Sequence, residues 1–97
     1  MESSDSQEIV SQIRSLFGRY ATHLSEDGRH EIEHYLAHDE YEMAFEGLAL
    51  ELLNVPPVSS EDRRACVELA RRLGLDRESV FDPELWRKLG VFAAEGR

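Results

Sequence analysis

His30-Glu31-Ile32-Glu33-His34 sets two imidazoles four residues apart with a carboxylate between them, and His38 repeats the spacing. Residues four apart share one face of a helix. His30 and His34 therefore match the H-E-x-x-H arrangement, in which two histidines hold zinc and the glutamate activates a water. That chemistry needs a third ligand. The H-x-x-G-x-x-H continuation is absent, and Glu51 is the one conceivable substitute. Glu33 adds a charge where such helices carry an uncharged residue, and 97 residues leave little chain for a substrate cleft. Proteolysis is not expected. A metal-dependent enzyme or metal-binding protein built on the His30/His34 pair remains the alternative, because imidazoles one turn apart chelate readily. The plainer reading of His30, His34 and His38 is three solvated histidines. No cofactor is expected.

The carboxylates offer a different chemistry. From His30 to Leu53 the chain has seven carboxylates and no Lys or Arg. Residues 1–55 hold twelve acids against Arg14, Arg19 and Arg29, a net −9, whereas residues 56–97 balance eight acids with eight bases. All the excess charge of the chain thus sits in its first half. Such a surface repels nucleic acid and anionic lipid and attracts cations on another macromolecule. Solubility alone also explains an acidic domain, but not the segregation. Glu40, Glu46 and Glu51 are expected to face solvent, with Glu42 at the edge of an apolar arc, where partial desolvation strengthens pairing with Arg or Lys. Tyr41 is either an aromatic anchor among those charges or a core tyrosine. Trp86 reads as core.

Other chemistry is not signalled. Cys66 lies on an apolar stripe without a nearby histidine and reads as a small core residue; alone, it forms no internal disulfide, which suits a reducing, cytoplasmic setting. Serine nucleophile elbows, phosphate-cradling glycine loops and paired zinc-knuckle cysteines are absent. The acidic N-terminus is not expected to act as a signal peptide, and no apolar run approaches the roughly 20 residues a membrane span needs. The segments around Gly74 have the order of a helix-turn-helix, yet a chain so negative starts in deficit against phosphate.

The elements that must position these groups are helices. Asp5 and Glu8 can form a capping box ahead of Ile9, Ile13, Leu16, Phe17, Tyr20 and Leu24, which repeat at helical spacing and predict a first helix over about 6–23. Ser25-Glu26-Asp27-Gly28 opens a second, with Ile32, Tyr35 and Leu36 inward and the histidines outward. Asp39 is expected to cap a third, with Glu42 completing a box and a break at His38-Asp39. That helix, about 40–54, has Tyr41, Ala44, Phe45, Leu48 and Leu52 on one stripe, widened by Ala49 and Leu53, the mark of a central helix. Asn54-Val55-Pro56-Pro57 ends it. Ser59-Ser60-Glu61-Asp62 caps a fourth helix, with Cys66, Leu69, Ala70 and Leu73 inward and Gly74 as its left-handed stop. Glu68 lies within reach of Arg64, Arg71 and Arg72. Asp82-Pro83 starts a last short helix, with Leu85, Trp86, Leu89, Val91 and Phe92 inward. No segment alternates as a strand would. The expectation is one all-α domain over 1–97, a compact bundle of four to five short helices.

The segment His38-Asp39-Glu40-Tyr41-Glu42-Met43-Ala44-Phe45-Glu46-Gly47-Leu48-Ala49-Leu50-Glu51-Leu52, with its His-x-Glu-Tyr turn and its Ala-Phe-Glu-Gly-Leu helix, resembles the central segment of Maf-type immunity proteins and related immunity proteins of contact-dependent and polymorphic toxin systems. The likeness covers 15 to 25 residues. It implies a cytoplasmic antidote, not an enzyme, that binds a cognate toxin domain with a basic surface, commonly a nuclease, with no direct contact to nucleic acid or membrane. Colicin DNase immunity proteins are similar in strategy, although their paired-tyrosine recognition turn is absent here. The partner-binding residues expected on this reading are Asp39, Glu40, Tyr41, Glu42 and Glu46, with Glu31, Glu33 and His34 as a rim. A helical regulatory adaptor acting on some other protein is the remaining alternative.

Overall fold

The structure, a computed structural model, describes residues 2–55, 58–77 and 82–95. These form five helices: α1 (Glu2–Tyr20, continued by a 3₁₀ turn over Ala21–His23), α2 (Glu26–Ala37), α3 (Tyr41–Leu52), α4 (Ser60–Arg72) and α5 (Leu85–Glu95). The described residues contain no strand. The all-α expectation therefore holds, and no helix among them is long and apolar enough to cross a membrane.

The hydrophobic pattern decides the packing. α3 buries Ala44, Phe45, Leu48, Ala49 and Leu52 completely and is touched by α1, α2 and α4, as its wide apolar arc predicts. α2 lays Ile32 and Leu36 against it, while α1 contributes Ile13, Leu16 and Tyr20. α4 and α5 pack on each other through Cys66, Leu69, Ala70, Leu85, Leu89 and Phe92. Burial pushes the Cys66 thiol up to about 12, so it stays a protonated core group.

Two helix starts are as read. Ser25 Oγ accepts the Gly28 N–H at 3.0 Å, and Ser59 Oγ accepts the Asp62 N–H at 3.1 Å. α1 begins earlier than expected, at Glu2, so Asp5 is helical rather than a cap. Asp39 is not the cap of α3 either. It takes φ +59° and closes α2, with Glu40 N–H bonded to Tyr35 O at 2.9 Å and Asp39 N–H to Leu36 O at 3.3 Å. This is the Schellman arrangement. α4 ends the same way, with Gly74 at φ +80° and Leu75 N–H bonded to Ala70 O at 2.8 Å. One turn uses glycine and the other an aspartate, because a short polar side chain tolerates the left-handed region better than most.

Arg63 and Asp62 join distant elements. Arg63 donates to Val58 O at 2.9 Å and to Phe92 O at 2.8 Å, and its guanidinium lies 4.3 Å from the centre of the Phe92 ring. Asp62 accepts from Tyr20 Oη at 2.6 Å and from Arg19 at 2.5 Å, tying the end of α1 to the start of α4. Burial works against the Asp62 carboxylate, but these hydrogen bonds and the Arg19 charge outweigh it and hold its pKa below the usual range. Burial, reinforced by the bond to Asp62, pushes the Tyr20 phenol up. Val91, expected inward, is half exposed at 50%, because α5 turns only its Leu85, Leu89 and Phe92 side to the bundle.

Candidate acidic interface

Glu26, Asp27, Glu31 and Glu33 on α2, Asp39 and Glu40 in the turn, and Glu42 on α3 are all exposed. His30, His34 and His38 share the outer side of α2 with them. His30 sits 3.9 Å from Glu26 and 3.8 Å from Glu33, contacts that carry charge only when the imidazole is protonated. The His34 and His38 rings lie 4.4 Å apart between centres. Among the described residues no group of three or more His, Cys, Asp or Glu side chains is arranged to hold a metal ion.

Tyr41 lies at the edge of the core, with its ring inward and its hydroxyl at the surface. Its ring is half-buried against the core, and its hydroxyl donates to Asp39 Oδ1 at 2.6 Å. That bond raises the Tyr41 pKa, with burial and the Asp39 charge adding to it and Arg14 working the other way. Asp39 is therefore both the left-handed turn residue and the group that fixes the ring. The pairing suits a preorganised contact residue, since strained backbone is kept where neighbouring structure over-determines it.

Three shallow depressions share lining residues and so form one band. A cleft of about 590 Å³ between α1 and α3 is lined by Gln7, Val10, Ser11, Arg14, Ser15 and Tyr41. Tyr41 also lines a depression of about 430 Å³ with Asp39, Glu40, Glu42, Met43 and Leu73. Arg14 lines another of about 430 Å³ with Glu33, Phe17, Leu36 and Ala37. Glu33, Arg14, Tyr41 and the turn carboxylates thus adjoin one another. Glu31 and His34 do not belong to this band: at about 100° per residue they lie on the far shoulder of α2 from Glu33.

Two of the expected surface carboxylates are elsewhere. Glu46 is fully buried, and its Oε2 accepts the Asp82 N–H just ahead of α5 at 3.1 Å. The segment before α5 needs an acceptor, and the positive end of that helix favours an anion. Glu46 is therefore removed from the contact set. Glu51, expected in solvent and conceivable as a metal ligand, is half-buried and accepts from the Ser25 N–H at 3.1 Å and the Ser25 Oγ–H at 3.0 Å. Gly28 makes room for it, since a Cβ there would fall 2.3 Å from Glu51 Oε2.

Arg14 was not singled out by the sequence reading. The signal was present: Gln7, Ser11, Arg14 and Ser15 recur at helical spacing on the polar side of α1, a stripe that the acidic count around it hides. No protein-family model, curated protein or solved structure matches the chain.

Proposed function

We propose that this chain is an immunity protein, which binds and neutralises a cognate toxin domain of the nuclease class through the acidic surface of α2 and α3. The observation that carries the reading is the exposed group Glu33, Asp39, Glu40 and Glu42 beside a fixed Tyr41, on a half-chain whose net charge is −9. Nucleases present cationic clefts to nucleic acid, so an anionic helical surface competes for the same ground. Carboxylates on the rim govern the approach rate, and the half-buried tyrosine supplies the contact that holds. The likeness of the 38–52 segment to Maf-type immunity proteins supports the same reading. The partner-facing set is Asp39, Glu40, Tyr41 and Glu42 with Glu33, extended by Arg14; Glu31 and His34, on the far shoulder of α2, fall outside it.

The test is whether the chain inhibits a toxin domain, where the adjoining reading frame encodes one. Glu33→Lys and Glu42→Lys lie on the exposed face and are expected to abolish protection while helicity and melting temperature stay as in the parent. Raising salt from about 50 to about 500 mM should slow association, because steering is screened over about a Debye length. Full protection by both variants, or an on-rate indifferent to salt, sinks the proposal.

The close His34/His38 ring pair favours one second reading, a surface site for a divalent transition ion. Stoichiometric metal in untagged protein after dialysis supports it; metal-free protein with full protection leaves immunity alone.

A further inference from the structure

We infer that two copies of this chain pair through α5, antiparallel about a two-fold axis that passes beside Val91. The inward side of α5 is spent on the core by Leu85, Leu89 and Phe92. Its outer side carries Arg87, Gly90, Val91, Ala94 and Glu95, all exposed. Val91 is the one large hydrophobic among the described residues that stands exposed. It forms one wall of a groove of about 460 Å³ whose floor and far wall include Leu50, Leu53, Asn54 and Phe92. Gly90 leaves open space beside it, so a second helix can come close.

The charges decide the occupant. Arg87 stands one turn before Val91 and Glu95 one turn after, and both line the same groove. An antiparallel second copy therefore sets Val91 on Val91 and places each Arg87 opposite the other chain's Glu95. Such a surface is complementary to itself, the requirement of an isologous contact. The current partner of Arg87 is Glu84, three residues away on the same helix, in a pair whose side chains are both more than half exposed. Little is lost by exchanging it. Glu95 has no ion pair among the described residues. The wider charge does not oppose this: residues 56–97 balance eight acids with eight bases, and the groove residues that α3 and its end contribute, Leu50, Leu53 and Asn54, are uncharged. A strongly basic partner would meet Arg87 and Lys88 at this rim, and a strongly acidic one would meet Glu95. Only a surface bearing both signs in reverse order fits. The inference does not depend on the toxin-binding proposal, and it leaves the acidic band free.

Sedimentation equilibrium of the full untagged chain from about 10 µM to about 1 mM covers the range of weak, specific association. A reversible monomer–dimer equilibrium is expected. Val91→Glu should leave a monomer throughout, with unchanged helicity because the side chain is not in the core. Arg87→Glu and Glu95→Arg should each weaken the dimer about tenfold, since two symmetry-related pairs become like-charged at once. The double variant R87E/E95R should return the dissociation constant to within about threefold of the parent, the coupling that a paired contact requires. A parent chain that stays monomeric overturns the inference. So does a dimer that Val91→Glu does not weaken, or a double variant no tighter than the singles.

Discussion

Replacing Glu46 separates a binding role from a structural one. Its carboxylate has no solvent exposure and accepts the Asp82 N–H, which belongs to the segment leading into α5. Glu46→Gln keeps the shape and one acceptor oxygen but loses the charge. A hydrogen bond to a charged group contributes roughly 1.5–3 kcal/mol and a neutral one about half that, so Gln should cost about 1 kcal/mol. Glu46→Ala removes this acceptor and opens a cavity, and together these should cost about 3 kcal/mol. Glu46→Lys inserts an ammonium where an anion was held, and several kcal/mol of desolvation should unfold a domain whose whole stability is on the order of 5–15 kcal/mol. Urea titration followed by circular dichroism reads the series directly. The expected order is parent, Gln, Ala, Lys. Loss of protection by the Lys variant would then report unfolding and say nothing of the proposed toxin-binding surface. Equal midpoints for the parent, Gln and Ala forms would refute the assignment, as would a Lys variant that melts like the parent.

Three further outcomes follow from the same geometry. The Asp62 pKa is depressed on folding, so its contribution is complete above the unfolded value of about 4 and is lost as pH falls towards the folded one; Asp62→Asn should cost about 2 kcal/mol at neutral pH and flatten the decline of stability in acid, and an acid limb unchanged in Asp62→Asn would contradict this. The Tyr20 pKa is raised, so its contribution is complete below about pH 10 and fades as pH rises through the folded value; Tyr20→Phe should lose that alkaline decline, as monitored by thermal melts, and an alkaline limb as steep as the parent's would count against it. Asp39→Gly should be more stable than Asp39→Ala by about 1 kcal/mol, because only glycine occupies φ +59° freely; equal denaturation midpoints would argue against the left-handed turn.

Most of the helical layout was legible because its signals are local. Ser25 and Ser59 bond to amides three residues on, and Gly74 closes a helix within its own turn, so neighbouring residues suffice to place them. The stripe of α3 likewise announces a central helix. Glu46 was misplaced because charge stood in for exposure. Its burial answers a demand made 36 residues later by the Asp82 amide, and no local pattern records that. Glu51 failed for the same reason, serving Ser25 from 26 residues away. Asp39 had the composition of a cap and the conformation of a stop, because both uses favour short polar residues. Asp62 was read only as part of the cap of α4; its bonds to Arg19 and Tyr20 cross more than 40 residues. Within the candidate site, the surface position of Glu40 and Glu42 and the partial burial of Tyr41 were legible from their types and spacing. Arg14, one of three cations in an acidic half-chain, attracts no attention until α1 is packed beside α3.

The clasp between Glu51 and Ser25 couples the two ends of the α2–α3 hairpin. The last turn of α3 holds the first turn of α2, so neither helix can fray at that junction without releasing the other. Amides of both should exchange with solvent at a common rate, as a single opening unit. The chain can thereby keep a crowded row of like charges at fixed spacing, since mutual repulsion along α2 has no loose end at which to be relieved.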